Sequence, residues 1–268
     1  LHLLSRRQRQ MCIRDRCYAL NAAPNFATGG INILNALGVV NNICFGSESG
    51  SIDELMSAAE LLENENSEIS EKIKKYVMGG MSYPNALTKA YSALIPSDIL
   101  SEPNNILATE YIRALIRSDS NIKPMTVKRH KAGYHDRNLY QNIASATKLR
   151  EMNRNNENIN DFIPYKLEDI NCDIPYDISN LDSAIISKLR LMTAEDLQNI
   201  SEVTEGIENR ILSSANMSYS FETLVENVKN KRYTTSKIRR MIISALIDFT
   251  KNIYLSLIHI SEPTRLGM

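Results

Sequence analysis

The succession of residue patterns between residues 27 and 54 constrains the fold of this chain more than any other feature of its sequence. Apolar residues recur at helical spacing as far as Gly38, a frequent helix terminator. The apolar run 43–45 leads into a loop of small residues, 46–50, after which Ser51 begins a new helix. A helix, a buried strand, a small-residue loop and a second helix in this order predict an α/β fold. Ligands of such folds bind beyond the carboxyl ends of the strands, where this loop would lie.

Two helix starts carry polar residues of interest. Ser51 and Glu54 have the spacing of a capping box, in which each side chain accepts from the other residue's backbone N–H. Residues 103–107 begin a further amphipathic helix, with Asn104 or Asn105 as its N-cap. A side-chain amide has both donors and an acceptor, so the alternative is that one asparagine recognises a nucleobase or ribose.

Residues 122–150 combine a β-prone run with a possible phosphate site. The run 125–127 is followed by a basic loop, and Ser145 then has the character of an N-cap for a helix. Three polar or basic residues would project near the start of that helix: Thr147, Lys148 and Arg150. A helix N-terminus binds phosphate well, although an ordinary capped helix with solvated charges fits equally. The adjacent His135 and Asp136 are interpreted as a structural pair and not as a catalyst.

The composition indicates which classes of protein to expect. The 268 residues contain 31 basic and 31 acidic side chains, so nucleic-acid binding would depend on a local basic patch. Four cysteines without a CxxC pair predict a reducing, cytoplasmic location and no zinc site. We expect no membrane span, because no apolar run is long enough. Oligomeric state is left open.

Residues 229–240 are the local basic patch. They carry six cations and no acid, and Thr234, Thr235 or Ser236 would cap the helix that follows. Cations suit phosphates and Tyr233 suits base stacking, which predicts contact with RNA. The alternative is a solvated basic face. Before this patch, the run 151–160 lacks apolar periodicity and predicts a mobile surface segment.

The two ends of the sequence look foreign to the rest. Residues 1–16 are rich in arginine without apolar periodicity, and residues 255–268 match no pattern upstream. Both resemble translated sequencing-adapter read-through, with a natural basic arm and a natural tail as the alternative. We therefore expect a non-native leader at 1–16 and a non-native tail at 255–268.

Eight stretches together resemble the bacterial tRNA(Met) cytidine acetate ligases, within the nucleotidyltransferase superfamily. They occur in the order of that family: FATGGINILNALGVV (26–40), CFGSESG (44–50), SYPNAL (82–87), EPNNIL (102–107), KRHKAGYHD (128–136), IASATKLR (143–150), EGIENRI (205–211) and KNKRYTTSKIRRM (229–241). The resemblance implies an incomplete Rossmann-like α/β nucleotidyltransferase domain at 17–152, followed by a mostly helical, tRNA-contacting region at 153–254.

The resemblance also implies an activity and its residues. Members of the family activate acetate with ATP as acetyl-adenylate, and then acetylate the 4-amino group of the wobble cytidine of elongator tRNA(Met). Mg²⁺ is expected with the triphosphate. The implied ATP contacts are Gly29, Asn104, Arg129, Ser145, Thr147 and Arg150. The implied tRNA contacts are Lys229, Lys231, Arg232, Tyr233, Lys237, Arg239 and Arg240.

One signature of the family, Asn-Pro-Phe-His-x-Gly-His, does not occur in this sequence. Its histidines would bind the triphosphate, so we expect the 268-residue chain to be an inactive, amino-terminally truncated piece of the ligase. Two alternatives remain. One is a noncatalytic RNA-binding protein, and the other is a small-molecule adenylyltransferase, which leaves the basic helical half unexplained.

Overall fold

A computed structural model describes residues 18–129, 144–155, 157–163, 177–204 and 206–251. Two strands form a sheet: β1 (Asn42–Ser47) and β2 (Lys123–Lys128). The helices of the first half are α1 (Ala23–Leu37), α2 (Ile52–Glu63), α3 (Ser67–Met78), α4 (Tyr83–Tyr91), α5 (Ser97–Ser101), α6 (Pro103–Arg117) and α7 (Ala146–Arg154). Those of the second half are α8 (Asp182–Leu191), α9 (Ala194–Asn199), α10 (Ile207–Met217), α11 (Phe221–Val228) and α12 (Thr235–Leu246), with short 3-10 turns at Asn160–Phe162 and Ile178–Leu181. This mixed α/β architecture with a helical carboxyl-terminal region confirms the predicted fold class.

The sheet is parallel, with Ser47 opposite Lys128 at the carboxyl ends of the strands. One face packs on α1 and α6, where Ile43 joins a small apolar cluster. Tyr111 of α6 stacks on the ring of Phe45 at 5.8 Å between centroids. The helix before β1 ends as predicted, at Gly38 with φ of 68°.

The prediction of a buried strand is wrong for the other face of the sheet. Cys44 is exposed, and its neighbours on β2, Met125 and Val127, are 53% and 60% exposed. Side chains alternate between the two faces of a strand, so a strand is buried only where both faces are covered. Among the described residues only one face has a helical layer.

Helices α2 to α6 share one core. Their apolar faces meet in a cluster of Leu55, Ala58, Ala59, Leu62, Ile69, Ile73, Ala86, Tyr91, Ile95, Ile99, Leu100, Ala108 and Ile112. Ser51 caps α2 by accepting from the N–H of Glu54 at 3.4 Å. The reciprocal half of the predicted capping box does not form, because the N–H of Ser51 donates to Ser49 Oγ.

Helices α8 to α12 form a second core, which is entirely helical. It contains fully buried Ile185, Leu197, Leu224 and Ile242, together with thirteen more buried apolar residues. Helix α7 precedes this region and continues to Arg154, with Met152 buried. The prediction that 151–160 is a mobile surface segment is therefore wrong for 151–154. The division of the chain at 152/153 stays a prediction.

A carboxylate joins the two halves. Glu202 lies between α9 and α10 and accepts from Nε and Nη2 of Arg240 on α12, at 3.1 and 2.9 Å. It also accepts from the backbone N–H of Ala22, which precedes α1, at 3.1 Å. The start of α1 is thus held against the helical region. No helix in the described residues has the length and apolar character needed to cross a membrane.

Candidate functional site

The carboxyl ends of β1 and β2 meet at one edge of the sheet. Ser47 and Thr126 lie there with their hydroxyl oxygens 2.6 Å apart, and the N–H of Arg129 donates to the carbonyl of Ser47 at 2.9 Å. Because ligands of parallel α/β folds bind beyond this edge, it is the candidate site.

The backbone N–H groups of the small-residue loop after β1 are hydrogen-bonded to side chains of the protein itself. Those of Glu48 and Ser49 donate to Asn105 Oδ1 at 2.9 and 3.1 Å, and that of Gly50 donates to Ser47 Oγ at 3.0 Å. With these groups already paired, the loop is a fixed turn and not a cradle for phosphate.

Gly50 is required in this turn for two reasons. Its φ is +70°, a conformation that side chains rarely adopt, and a Cβ at this position would lie 2.5 Å from Cβ of Lys128. The glycine therefore allows the loop to close against the end of β2.

The start of α6 differs from its prediction. Asn104 and Asn105 lie inside the first turn, after Pro103, and neither is the N-cap. The carboxylate of Glu48 caps the helix instead, accepting from the N–H groups of Asn104 and Asn105 at 3.3 and 2.8 Å. Glu48 was missed by sequence reasoning, because residues 56 or 57 apart in the chain give no local capping signal.

Asn105 holds the turn in place through hydrogen bonds from both ends of its side-chain amide. Its side chain is fully buried, with Oδ1 bound to the loop and Nδ2 donating to the carbonyl of Asp98 at 3.1 Å. Asn104 is half-buried beside it and donates from Nδ2 to Glu48 Oε1 at 2.6 Å. Asn104 therefore faces the edge, whereas Asn105 supports it.

Two of the predicted ATP residues lie at this edge. Asn104 contacts Glu48, and Arg129 follows β2 with its side chain over Gly46, exposed to solvent. Gly29 lies elsewhere, on the buried side of α1, where an added Cβ would come within 2.3 Å of the Tyr18 ring. Its lack of a side chain lets the Tyr18 ring pack directly against α1, so its effect on a ligand would be indirect.

The other predicted ATP residues lie at the start of α7. Ser145 is buried and caps this helix, accepting from the N–H of Lys148 at 3.1 Å, as predicted. Thr147 is half-buried and Arg150 is exposed. Residues 130–143, with the predicted pair His135 and Asp136, lie outside the described residues.

The basic patch divides into paired and unpaired cations. Arg240 binds Glu202, Arg239 binds Glu222, and Lys229 lies 3.5 Å from Glu226. Of these three pairs, Arg240–Glu202 is the least exposed, with side chains 23% and 14% exposed. Arg240 therefore stabilises the fold. Within the described ranges, three cations have no acidic partner: Lys231, Arg232 and Lys237.

Tyr233 lies at the boundary between the helical core and the surface. Its ring is partly buried against the helical core, and its hydroxyl lies 2.7 Å from Thr204 Oγ1. Lys237 and Arg232 lie 5.3 and 5.9 Å from its ring centroid. Both cations lie within cation–π distance of the ring, so the ring helps to orient them, and its contact with a base stays a prediction.

The basic loop is fixed by residues that sequence reasoning did not select. Arg210 on α10 donates from Nη2 to the carbonyls of Asn227 and Lys229, at 3.0 and 2.8 Å. Asn230 Oδ1 accepts from the N–H groups of Arg232 and Tyr233, at 2.9 and 3.0 Å. Thr234 caps α12 as predicted.

An ion cluster away from the candidate site joins α2 to α6. Arg113 donates to Glu63 at 2.6 Å and to Glu110 at 2.7 Å. Burial raises the pKa of Glu110, and the charge of Arg113 offsets this only in part. Burial acts the same way on Glu63, but hydrogen bonds from Arg117 and Arg113 outweigh it and lower its pKa. No cluster of His, Cys, Asp or Glu in the described residues is arranged to hold a metal ion.

Comparison with proteins of known sequence supports the resemblance. The ligase named tRNA(Met) cytidine acetate ligase from Clostridium novyi is 39% identical over 243 residues, which are 86% of this chain and 60% of the relative. The ligase of the same name from Thermosipho africanus is 37% identical, over 88% of this chain and 58% of the relative. This chain therefore spans about 60% of the length of these curated relatives.

Solved structures agree in fold. The crystal structure of apo Thermotoga maritima TmcAL superposes with a TM-score of 0.81 and 28% identity, over 91% of this chain and 60% of that one. The form bound with alpha-thio ATP has a TM-score of 0.78 and 28% identity, over 89% and 59%.

The sequence profile described as HIGH Nucleotidyl Transferase matches residues 16–267. This match covers nearly the whole chain, including both strands and the edge where Asn104 and Arg129 lie. The chain belongs to the HIGH nucleotidyl transferase family.

Proposed function

We propose that this chain is the nucleotide-binding and tRNA-binding part of a cytoplasmic, ATP-dependent tRNA(Met) cytidine acetate ligase. The observation that carries the proposal is the edge formed by Glu48, Asn104 and Arg129 at the carboxyl ends of two parallel strands. It occurs in a chain related along most of its length to ligases of that name, and a structural neighbour binds alpha-thio ATP.

The proposed reaction has two steps. An acetate oxygen attacks the α-phosphorus of ATP, the bond from that phosphorus to the bridging oxygen breaks, and pyrophosphate leaves. The 4-amino nitrogen of the wobble cytidine of elongator tRNA(Met) then attacks the acetyl carbonyl carbon. AMP leaves with the electron pair of the C–O bond, and the amino group loses a proton.

The residues of the edge fit a positioning role in the first step. Adenylation needs the triphosphate held in line and its developing charge compensated. Arg129 is exposed where β2 ends and supplies a guanidinium, while Asn104 supplies a neutral polar contact. Ser145, Thr147 and Arg150 at the start of α7 are proposed to contact the phosphates, and Gly29 to shape the site through α1.

Mg²⁺ would arrive with ATP. The carboxylate of Glu48 lies at this edge, and it already accepts from three N–H groups of Asn104 and Asn105. It is therefore poorly suited as a metal ligand, and phosphate oxygens and water would hold the ion.

The basic patch is proposed to hold tRNA. Lys231, Arg232 and Lys237 have no acidic partner among the described residues and can neutralise phosphates. Arg239 and Lys229 would contribute more weakly, since each already lies beside a glutamate. Tyr233 orients the loop.

A chimaera tests the proposal. The amino-terminal part of the Clostridium novyi ligase, which supplies the His-x-Gly-His element, is joined to residues 18–251. We expect acetylcytidine in tRNA(Met), detected by mass spectrometry, only when ATP and acetate are both present.

The other outcomes distinguish the alternatives. A folded chimaera that binds tRNA but forms no acetylcytidine would support a noncatalytic RNA-binding protein. Adenylation of a small molecule without tRNA binding would support a small-molecule adenylyltransferase.

A further inference from the structure

Glu48 makes an unusual set of bonds at the start of α6. Oε1 accepts from the backbone N–H and from Nδ2 of Asn104, at 3.3 and 2.6 Å, while Oε2 accepts from the N–H of Asn105 at 2.8 Å. The carboxylate thus caps the helix and binds the side chain of the residue that faces the candidate site.

The bond to the side chain decides which way the amide of Asn104 points. An ionised carboxylate is only an acceptor, so the atom of Asn104 that meets it is the amide nitrogen. The carbonyl oxygen Oδ1 is then turned away from Glu48. A rotation of the amide by half a turn would place two acceptors against each other at 2.6 Å.

Glu48 cannot easily leave this position. Its own N–H is bound to Asn105 Oδ1 at 2.9 Å, and Asn105 is fully buried. The loop also closes through Gly50, whose backbone lies against Lys128. Glu48 and Asn105 therefore fix each other, and the orientation of Asn104 is set before any ligand binds.

We propose that Glu48 is a positioning residue, which holds Asn104 with Oδ1 toward the ligand so that the site selects a nucleotide group that donates a hydrogen bond. This inference rests on the proposed binding of ATP at this edge. ATP has two kinds of group with this chemistry, the 6-amino group of adenine and the hydroxyls of ribose.

The test compares nucleotides that each lack one donor. The chain is labelled with ¹⁵N at asparagine, and its amide spectra are followed during titration with ATP, ITP, 2′-deoxy-ATP and 3′-deoxy-ATP. ITP carries an acceptor in place of the 6-amino group, and the deoxy forms each lack one hydroxyl. We expect one analogue to bind about tenfold more weakly than ATP, because it leaves Oδ1 without its donor.

Glu48→Gln should remove that difference. The glutamine amide that replaces the carboxylate can accept from Nδ2 or donate to Oδ1, so Asn104 would adopt both orientations. We expect the discrimination to fall below about threefold and the Nδ2 resonances of Asn104 to shift without ligand. Glu102→Gln is the matched control, since Glu102 is exposed at the start of the same helix and its carboxylate has no hydrogen bond among the described residues.

A second variant guards against misfolding of Glu48→Gln. Asn104→Leu removes the acceptor while leaving the cap bonds of Glu48 to the backbone, and it should abolish the same discrimination. Equal affinities of wild type for ATP and all three analogues would overturn the inference and leave ATP binding intact. Unchanged discrimination in Glu48→Gln would also overturn it. Failure of wild type to respond to any nucleotide would instead overturn the proposed ATP site, and the inference with it.

Discussion

The geometry of the Glu202–Arg240 ion pair predicts how much the free energy of unfolding falls when either side chain is replaced. Glu202 accepts from Arg240 Nε and Nη2 at 3.1 and 2.9 Å and from the N–H of Ala22 at 3.1 Å. The two side chains are 14% and 23% exposed. Removing one partner from a pair that is mostly shielded from water leaves a charge without compensation, which costs more than breaking a surface pair.

We expect Arg240→Met to lower the free energy of unfolding by about 2–3 kcal/mol, somewhat below the range for fully buried pairs. Glu202→Gln should cost about 1–2 kcal/mol, because the glutamine side chain keeps one acceptor for Arg240 or Ala22. In the double variant the losses should not add, and the coupling energy should be about 1.5 kcal/mol or more. Urea unfolding, followed by circular dichroism, gives these values.

A surface pair on the same helix is the control. Arg239 binds Glu222, with side chains 41% and 59% exposed, and exposed pairs contribute less than about 1 kcal/mol. Arg239→Met with Glu222→Gln should therefore show little coupling. Hydrogen exchange at the Ala22 N–H gives a second readout, which should accelerate only in the Glu202 variant. Equal coupling in the two pairs would refute the reasoning that burial makes Glu202–Arg240 the stronger contact.

Three further predictions concern binding and pH dependence. Changing Lys231 and Arg232 together to alanine should weaken tRNA binding and flatten its salt dependence, measured by filter binding at several salt concentrations. Arg129→Ala should weaken ATP binding about tenfold in calorimetric titration, because a charged contact to phosphate is lost. Glu110→Gln should gain stability relative to wild type as pH rises above 4.5. The raised pKa of Glu110 makes its contribution full below the ordinary value of 4.5 and lost at higher pH.

Each of these has a matched control or a contradicting result. Lys74→Ala with Lys75→Ala on α3 removes two exposed cations outside the basic patch and should leave the salt dependence of RNA binding unchanged. Lys123→Ala, at the opposite end of β2 from Arg129, should leave ATP affinity unchanged. For Glu110, the same stability difference at about pH 4.5 and about pH 7.5 would show that burial does not perturb this carboxyl.

Local sequence patterns were sufficient to predict helix starts at which the N-cap side chain accepts from an N–H of the same helix. Ser145 and Thr234 each accept from an N–H three residues ahead, so the cap and its partner lie in one short stretch. The helical spacing of apolar residues that ends at Gly38 likewise corresponds to α1, which buries Ile31. Both caps depend only on neighbours in sequence, and both predictions were confirmed.

Two of the predictions that failed depended on distant partners. Asparagine is a preferred N-cap residue, which is why Asn104 and Asn105 were predicted as caps. The cap is instead supplied by Glu48, from a loop 56 or 57 residues earlier. The burial of β1 depended on a second covering layer. The sequence near these residues contains no pattern that identifies such partners, because only the tertiary fold brings them together.

Acidic partners reduce what the basic patch can contribute to RNA binding. Counted along the sequence, six cations would release counterions at six phosphates, and the slope of log affinity against log salt would be about −4 to −5. The structure assigns Arg240 to Glu202 and places acids beside Arg239 and Lys229, which leaves three cations without an acidic partner in the described part of the chain. Three phosphate contacts give a slope of about −2 to −3. A measured slope near the smaller value would mean that half of the basic patch serves the fold, and that its charge density in sequence overstates its affinity for RNA.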